Sequence, residues 1–487
     1  MSATLESRKL AGYFAGAGLR VREVEVRGRF HPIEIYNLKS ATEDYVTETV
    51  EMILRVHFEF PPGDILAFLT GQEEIEAVVD TLASRSRAHA PAFEGKPLVA
   101  LPLFSALPPE SQRKIFASAN GRKAIISTNV AETALTIPGV RYVIDCGFVK
   151  LRVFDSARRL DSLVVVPESR ASAAQRAGRA GREAPGKCFR LFPAAALGGL
   201  EEFPTPEVFR ADPLGLTLSV RGLGRDPRTV EFPDSPDCDF NRAHDLLRRM
   251  GALDLHNALT PIGKHMLEIP QDCFAAFCLL NVCGEPPELR EHLATLLALQ
   301  SAEPIFAPQK NRATEIKQKI LAICPERSDH LAKLKIFYKF VQAKNRKDFC
   351  AAYGLRAKSL ELATLVRAQL LEVLARITEA LRTGKLPPRK PNSKTLEFRN
   401  EISKIVPTPI DSQKLLKILA KSFFENVAEF EGSGVYRIVS SGVTVKIHPQ
   451  SLLFDLKVKP RRVVFSSVAT TTATYMIDVS EIPIYDI

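Results

Sequence analysis

The chain has 487 residues, 45% of them hydrophobic, which is enough for about three or four domains with real cores. Lys+Arg 66 against Asp+Glu 56 give a formal charge of +10 and an isoelectric point near 9.1, a balance that favours a polyanionic partner, nucleic acid first. No signal peptide or membrane-spanning apolar run is visible, and the eight cysteines (Cys146, Cys188, Cys238, Cys273, Cys278, Cys283, Cys324, Cys350) form no CxxC pair and no zinc spacing with His, which argues for free buried thiols in a soluble intracellular protein.

From about residue 20 to 195 strand and helix alternate. Asp64-Ile-Leu-Ala-Phe-Leu69 reads as a buried strand, and 72–82 places Ile75, Val78, Val79 and Leu82 on one helical stripe. Residues 98–104 read as a second strand, and 109–116 as a helix opened by Pro109, whose missing N–H does no harm in a first turn. Lys123-Ala-Ile-Ile-Ser127 and Tyr142-Val-Ile-Asp145 are further strands. Such alternation predicts a mostly parallel sheet with helices on both faces and functional loops at the carboxyl ends of its strands. Residues 149–154 and 163–166 flank a turn-like polar stretch and read as a β-hairpin.

Closely spaced Pro204, Pro206, Pro213, Pro227, Pro233 and Pro236 mark a change of domain. In 240–270, helically spaced Ala243, Leu246, Leu247 and Met250 suggest a small helical module with a winged tail. Residues 272–382 are helix-rich without a strong strand signal, and Gly384-Lys-Leu-Pro-Pro-Arg-Lys-Pro-Asn-Ser-Lys394 is a basic, proline-rich linker. A helix near 411–426 precedes short β-rich runs over 435–480, such as Val443-Thr-Val-Lys-Ile447 and Arg462-Val-Val-Phe465, which suit a small β-barrel.

The chemistry concentrates in Gln175-Arg-Ala-Gly-Arg-Ala-Gly-Arg182, which puts three arginines and a glutamine on about two turns of a predicted helix. An arginine fork stays charged at working pH and grips phosphate oxygens, while Ala and Gly let another surface come close. The cluster suits charge developing on a transferring phosphoryl group; the bland alternative is a solvated basic helix. Upstream, Ser127-Thr-Asn-Val-Ala-Glu-Thr-Ala-Leu-Thr136 follows a strand directly, where hydroxyls and amides can bond phosphate oxygens. The histidines show no ligand pairing, so none is assigned to a metal. Lys310, Lys317, Lys319, Lys333, Lys335, Lys339, Lys344 and Lys347 either line a nucleic-acid channel or form a solvated helical face.

These motifs resemble those of the DEAH-box RNA helicases of superfamily 2. Ser2-Ala-Thr4 is similar to the family's motif III, Phe68-Leu-Thr-Gly-Gln-Glu-Glu-Ile-Glu76 to motif IV, the Ser127–Thr136 run to motif V, and Ser172-Ala-Ala-Gln-Arg-Ala-Gly-Arg-Ala-Gly-Arg182 to motif VI, with Gly186-Lys-Cys-Phe-Arg-Leu-Phe192 following. The likeness continues through Leu259-Thr-Pro-Ile-Gly263, Asp329-His-Leu331 and Ile447-His-Pro-Gln-Ser451, and Gly63–Gln72 with Val143–Arg152 is most like the splicing-associated members. The implied fold is an α/β RecA-like domain (parallel sheet with helices on both faces, plus a β-hairpin) followed by winged-helix, helical ratchet and OB-fold domains. The implied spans are 1–20 for a remnant of a first RecA-like domain, 21–200 for the second, 201–270 for the winged helix, 271–383 for the ratchet, 384–394 for the linker and 395–487 for the OB-fold.

The resemblance also assigns roles by position. It makes Gln175, Arg179 and Arg182 catalytic, the glutamine ordering water or phosphate and the two arginines reaching the γ-phosphate, with Arg176 in structural pairs. Phe116 matches an aromatic that stacks on adenine, or else is a core residue of an amphipathic helix; Thr136 is the second nucleotide-binding position. Thr70, Thr128 and Asn129 match residues that hold the RNA backbone, although Thr70 could equally cap the helix starting near Gln72. The 149–166 hairpin matches a strand-separating wedge. The implied cofactor is ATP with Mg2+, held mainly by another domain. The implied partners are single-stranded RNA, an activator protein docking on the OB-fold or winged helix, and the spliceosome, with no membrane; the implied location is the nucleus, with the cytoplasm as alternative.

Departures shape the functional expectation. The chain starts at motif III and contains neither G-x-x-x-x-G-K-[ST] nor a motif II Asp-Glu pair. Ala134 stands where many relatives carry Ser, Pro138 where many carry Asp, and Phe349 where many have Trp. The expectation is the C-terminal part of an ATP-dependent RNA helicase that unwinds RNA or remodels ribonucleoproteins, in pre-mRNA splicing, and does not hydrolyse ATP alone, because arginine fingers stabilise charge that another domain must first position. The alternatives are a helicase-derived RNA-binding or scaffold protein without catalysis, and an adaptor whose OB-fold docks an activator.

Overall fold

Alternation within one short strand sets the layers of the α/β unit. Strands β1 (Ile33–Leu38), β2 (Asp64–Phe68), β3 (Leu98–Leu103), β4 (Arg122–Ser127), β5 (Val140–Asp145) and β8 (Gly186–Pro193) pair in parallel in the order β1-β8-β5-β2-β4-β3. From β2 and the residue after it, Ile65, Ala67 and Leu69 turn to one face, against Val50, Ile53 and Val56 of the helix Tyr45–Glu59 and Ile75, Val78 and Leu82 of the helix Gln72–Ala88. Leu66 and Phe68 turn to the other, with Val143, Ala177 and Ala180. A strand covered on both faces needs an unbroken apolar run, which is why 64–69 carries no polar alternation. The hairpin comprises β6 (Phe148–Asp155) and β7 (Leu160–Pro167), slightly longer than its apolar runs indicated.

In this computed structural model the described residues are 7–483 except 25–30, 89–92, 94, 96, 106, 108–111, 134–135, 156–159, 235–237, 303, 308–311, 389–396 and 471–472. Ser2–Thr4, Pro109, Ala134 and Lys310 therefore lie outside them. The chain divides into two units, one of 1–153, 163–210 and 232–235, the other of 154–162, 211–231 and 236–487.

One expected helix is shortened and another is corrected. Of the helix expected over 109–116, residues 109–111 lie outside the described residues and 112–113 are helical, after which turns bond the amides of Ile115, Phe116 and Ala117 three residues back. The Lys123 ammonium takes the Ile115 and Ala117 carbonyls at 3.0 and 3.5 Å, which draws them from any helical ladder. The motif VI helix spans Arg170–Gly178, with Arg179 as its C-cap, so Arg182 lies beyond it. There the Gly181 carbonyl accepts from the His31 amide, and a Cβ on Gly181 would lie 2.7 Å from the His31 oxygen. The chain leaves the helix because glycine permits that close approach.

In the second unit the helices Pro213–Gly222, Phe240–Arg249 and Pro261–Glu268, with a bridge between Leu253 and Leu259, form the winged-helix module. Thr260 caps the last helix through the Gly263 amide at 3.1 Å, and Pro261 fills its first turn. The helices Cys273–Asn281, Pro287–Ser301, Ala313–Ile323, Asp329–Gln342, Arg346–Tyr353 and Ala357–Thr383 follow. After the helix Ser412–Ser422, strands β9 (Val427–Gly432), β10 (Val435–Ile438), β11 (Thr444–Ile447), β12 (Arg462–Thr470) and β13 (Thr474–Glu481) close into a barrel in the order β10-β11-β13-β12-β9. One hydrophobic core runs from Leu214 through Leu293 and Phe337 to Val479 and Ile482, joining winged helix, helices and barrel.

Candidate functional site

Within the α/β unit the arginines of 175–182 have separate fates. Arg176 is 1% exposed and sits among three carboxylates. Its guanidinium meets Glu132 at 3.1 Å, Asp145 at 2.8 Å and Glu168 at 3.0 Å, donates to the Phe148 carbonyl at 3.2 Å, and lies 5.0 Å from the Phe68 ring centroid. Burial works against its charge, and the surrounding acids overcome that and raise its pKa. Burial, then Asp145, pushes the Glu168 carboxyl well above the carboxylate range, so Glu168 is protonated at neutral pH. Both Glu168 oxygens and Asp145 Oδ2 are buried without a hydrogen-bond partner of good geometry. Arg176 is thus a structural centre, as its resemblance-based role implied.

Arg179 and Arg182 are held differently. Arg179 is largely buried and donates to the Glu132 backbone carbonyl. Burial, then the neighbouring Arg182, lowers its pKa to about 10, which leaves it cationic at neutral pH. Arg182 is half-buried and donates to the hydroxyl of exposed Thr136. Gln175 is half-buried on the same helix, one residue before Arg176. That helix starts near the carboxyl end of β5, where the Glu168 amide bonds the Gly147 carbonyl, and the chain after it reaches the amino ends of β1 and β8, where the Gly186 amide bonds the Pro32 carbonyl. Arg182 and Thr136 therefore sit towards the amino ends of the strands. Phe116 lies at that end too, next to the carbonyls bonded by Lys123, and it is 45% exposed. It is not the core residue of an amphipathic helix; its buried neighbour Ile115 fills the core.

The residues matched to RNA contacts lie at the opposite edge. Thr70 follows β2 and Thr128 and Asn129 follow β4, adjacent strands whose ends are tied by the Leu69 amide to the Ser127 carbonyl at 2.8 Å. Asn129 is exposed and Thr128 half-buried, at the start of the short helix Val130–Thr133. Thr70 is buried, and its amide and hydroxyl both donate to the Glu74 carboxylate, at 3.0 and 2.8 Å. Tyr45 adds a third donor at 2.7 Å. Thr70 therefore does not cap the helix with its own oxygen; the helix reaches back with Glu74 and caps the segment before it.

Sequence reasoning missed Glu132, Asp145, Glu168 and Glu74, acids whose spacing from their partners carries no local periodicity. In the second unit it matched Asp329-His330 without seeing its bonds. Asp329 is buried and accepts from the Leu452 and Val479 amides at 2.9 and 2.8 Å, and the His330 nitrogens meet the Ser480 and Ser466 hydroxyls at 2.6 and 2.9 Å. Lys317, Lys319, Lys333 and Lys335 pair with Asp455, Glu315, Asp478 and Glu326, so much of the lysine-rich stretch is neutralised within the fold. All eight cysteines are free thiols, and burial pushes those of Cys146 and Cys278 up to about 12. Among the described residues no helix is long and apolar enough to cross a membrane.

Comparison with known proteins joins these pieces. Residues 48–184 match the helicase conserved C-terminal domain, 243–270 the winged-helix helicase associated domain (HA2), and 415–486 an oligonucleotide/oligosaccharide-binding (OB) fold. Over 464 residues the chain is 35% identical to the "Probable ATP-dependent RNA helicase DHX35" of Homo sapiens, covering 94% of this chain and 62% of that one. The chain is thus similar, over almost its whole length, to ATP-dependent RNA helicases of the DEAH-box kind. The Pongo abelii protein of the same name is also 35% identical, over 60% of its length. The "Pre-mRNA-splicing factor ATP-dependent RNA helicase DEAH10" of Arabidopsis thaliana is 34% identical over 495 residues, 98% of this chain and 64% of that one. The chain thus spans just under two thirds of the length of these DEAH-box relatives. The RecA-like, winged-helix and OB assignments agree with the parallel sheet, the three-helix module and the closed five-stranded barrel.

Proposed function

We propose that this chain forms the part of an ATP-dependent RNA helicase that meets the nucleotide's γ-phosphate and grips RNA, in a machine that unwinds RNA or remodels ribonucleoprotein, in the nucleus and in pre-mRNA splicing. The observation that carries the reading is the division of labour among the arginines. Arg176 is consumed by three acids, whereas Arg179 donates to the Glu132 backbone carbonyl and Arg182 to the Thr136 hydroxyl, bonds that a phosphate oxygen can replace.

ATP fits the donor set at this end of the sheet: two arginine forks, the Thr136 hydroxyl and an exposed Phe116 ring offer charge, a hydrogen bond and a stacking face. Among the described residues no cluster of His, Cys, Asp or Glu could hold a metal ion, so on this reading Mg2+ arrives with the nucleotide and another domain holds it. Bound ATP would supply the bond whose cleavage drives remodelling. Arg179 and Arg182 would stabilise charge on the transferring phosphoryl group, and Gln175 would orient water or phosphate. Thr128 and Asn129, at the opposite edge, would hold the RNA backbone. Coupling would follow from the Ser127–Thr136 segment, which runs from the RNA edge to the nucleotide end. The chain by itself would not hydrolyse ATP, having no P-loop sequence to cradle the phosphates.

The test is RNA-stimulated ATP hydrolysis by this chain beside one extended through a P-loop domain. Only the extended chain should be active. In it, Arg179→Ala with Arg182→Ala should lower turnover by about 10³-fold or more, while the RNA affinity of the present chain stays nearly unchanged. Equal loss of RNA binding in the double variant would refute the nucleotide assignment.

A further inference from the structure

Lys123, the second residue of β4, carries its ammonium group into the interior and is 8% exposed. An ammonium has three donors, and here three acceptors meet it: the Ile115 carbonyl at 3.0 Å, the Ala117 carbonyl at 3.5 Å and Asp64 Oδ2 at 3.2 Å. The two carbonyls belong to the residues on either side of Phe116. Ile115 is fully buried, whereas Phe116 is 45% exposed. A short turn with two carbonyls on one buried cation has few other conformations open to it, so the exposed ring stands on a fixed base.

Asp64, at the start of β2, holds the lysine and extends the connection. Its Oδ1 accepts from the Lys123 amide at 3.0 Å, and its own amide donates to the Gly139 carbonyl at 2.9 Å. Gly139 has a φ of +82°, in the left-handed region, and a Cβ there would lie 2.9 Å from Asp64 Oδ2, so glycine leaves the carboxylate its room. The Gly139 amide in turn donates to the Glu183 carboxylate at 2.9 Å. Glu183 follows Arg182, and Gly139 lies shortly after Thr136, whose hydroxyl Arg182 bonds. One bonded chain thus runs from the Phe116 turn to the arginine segment.

We infer that Lys123, braced by Asp64, is a positioning residue for nucleotide binding: it fixes the turn from which Phe116 meets the base, and the Asp64–Gly139–Glu183 bonds tie that turn to the segment carrying Arg182. The inference rests on the nucleotide reading above and adds two residues that act through others. A stacking ring held in place before the base arrives loses little freedom on binding, whereas a loose one must be ordered by the ligand.

The test is isothermal titration of the chain extended through a P-loop domain, with ADP and with inorganic pyrophosphate, which keeps the phosphates and lacks the base. Phe116→Ala should weaken ADP about tenfold, and Lys123→Met about fivefold. The double variant should be no weaker than Phe116→Ala alone, because Lys123 acts through that ring. Pyrophosphate should bind all of them alike. In the present chain without ligand, Lys123→Met should speed hydrogen exchange at the Phe116 and Ala117 amides. If Phe116→Ala weakens ADP and Lys123→Met does not, or if Lys123→Met weakens pyrophosphate equally or adds its full effect to Phe116→Ala, the positioning role is wrong and the nucleotide reading survives. If Phe116→Ala leaves ADP binding unchanged, both fall. Should Lys123→Met melt well below the native chain, Asp64→Asn carries the test, since it keeps an acceptor for the Lys123 amide and removes only the charge. It should weaken ADP by a smaller factor, spare pyrophosphate and be silent in the Phe116→Ala background; unchanged ADP binding in Asp64→Asn would overturn the brace.

Discussion

Two buried polar clusters, one in each unit, reach satisfaction by opposite routes. Around Arg176 the partners are ionisable: one guanidinium is set among Glu132, Asp145 and Glu168, and the excess negative charge is relieved by a proton on Glu168. Around Asp329 and His330 the partners are backbone amides and serine hydroxyls. The first cluster is a charge balance in which every member depends on the others. The second is a set of directed bonds that fixes a helix to a barrel. A charge balance beside the proposed nucleotide site also shapes the field felt by Arg179 and Arg182, whereas a network of neutral donors serves architecture.

The sharpest way to break the comparison is to remove the hub of the charged cluster. Arg176→Met strips the cation from buried Asp145 and Glu132 and should destabilise the α/β unit by about 3–5 kcal/mol, read by denaturant unfolding. A loss within the range of ordinary surface substitutions would show that the acids relax into water. The second cluster is probed by pH. Burial lowers His330 to about 4 from 6.5, so the unfolded chain takes up its proton first and stability falls as pH drops from 6.5 towards 4. Burial raises Asp329 to about 6 from 3.8, so the folded chain takes up that proton first and stability rises over much the same interval. The two effects oppose each other in the native chain. In Asp329→Asn only the histidine contribution remains, and the loss between pH 7 and 4 should be steeper by about 2 kcal/mol; parallel stability curves for the two proteins would discard this account. The smallest effect concerns a single bond: Thr70→Val removes one hydroxyl donor from Glu74 and should cost about 1 kcal/mol, with the helix Gln72–Ala88 retained by circular dichroism.

Much of the fold was legible because burial on both faces writes a long apolar run. Residues 64–69, 123–127 and 142–145 announced β2, β4 and β5, the strands at the centre of the sheet. The edge strand β1 was not foreseen: Ile33-Glu-Ile-Tyr-Asn-Leu38 is half polar and its Ile35 and Tyr36 are exposed, so it lacks that run. The barrel was foreseen from Val443–Ile447 and Arg462–Phe465, whereas β9 and β10, with burial alternating along short strands, gave weaker signals. At the site, residue types were legible and partnerships were not. The spacing of Arg176, Arg179 and Arg182 is the same, and only the topology that brings Asp145 and Glu132 to the first of them distinguishes their roles. The helix end at Gly178 likewise depends on the backbone of His31, more than a hundred residues away.

The continuous core of the second unit has a consequence for how the protein comes apart. The barrel follows the basic linker in sequence, yet its Val479 and Ile482 share one apolar interior with Phe337 and Leu293, and Ser480 is bonded to Ser328 and His330. A protease that nicks the linker should therefore leave two pieces that stay clasped and leave a sizing column together. A gene cut at the same place should yield halves that are insoluble apart and recover when expressed side by side.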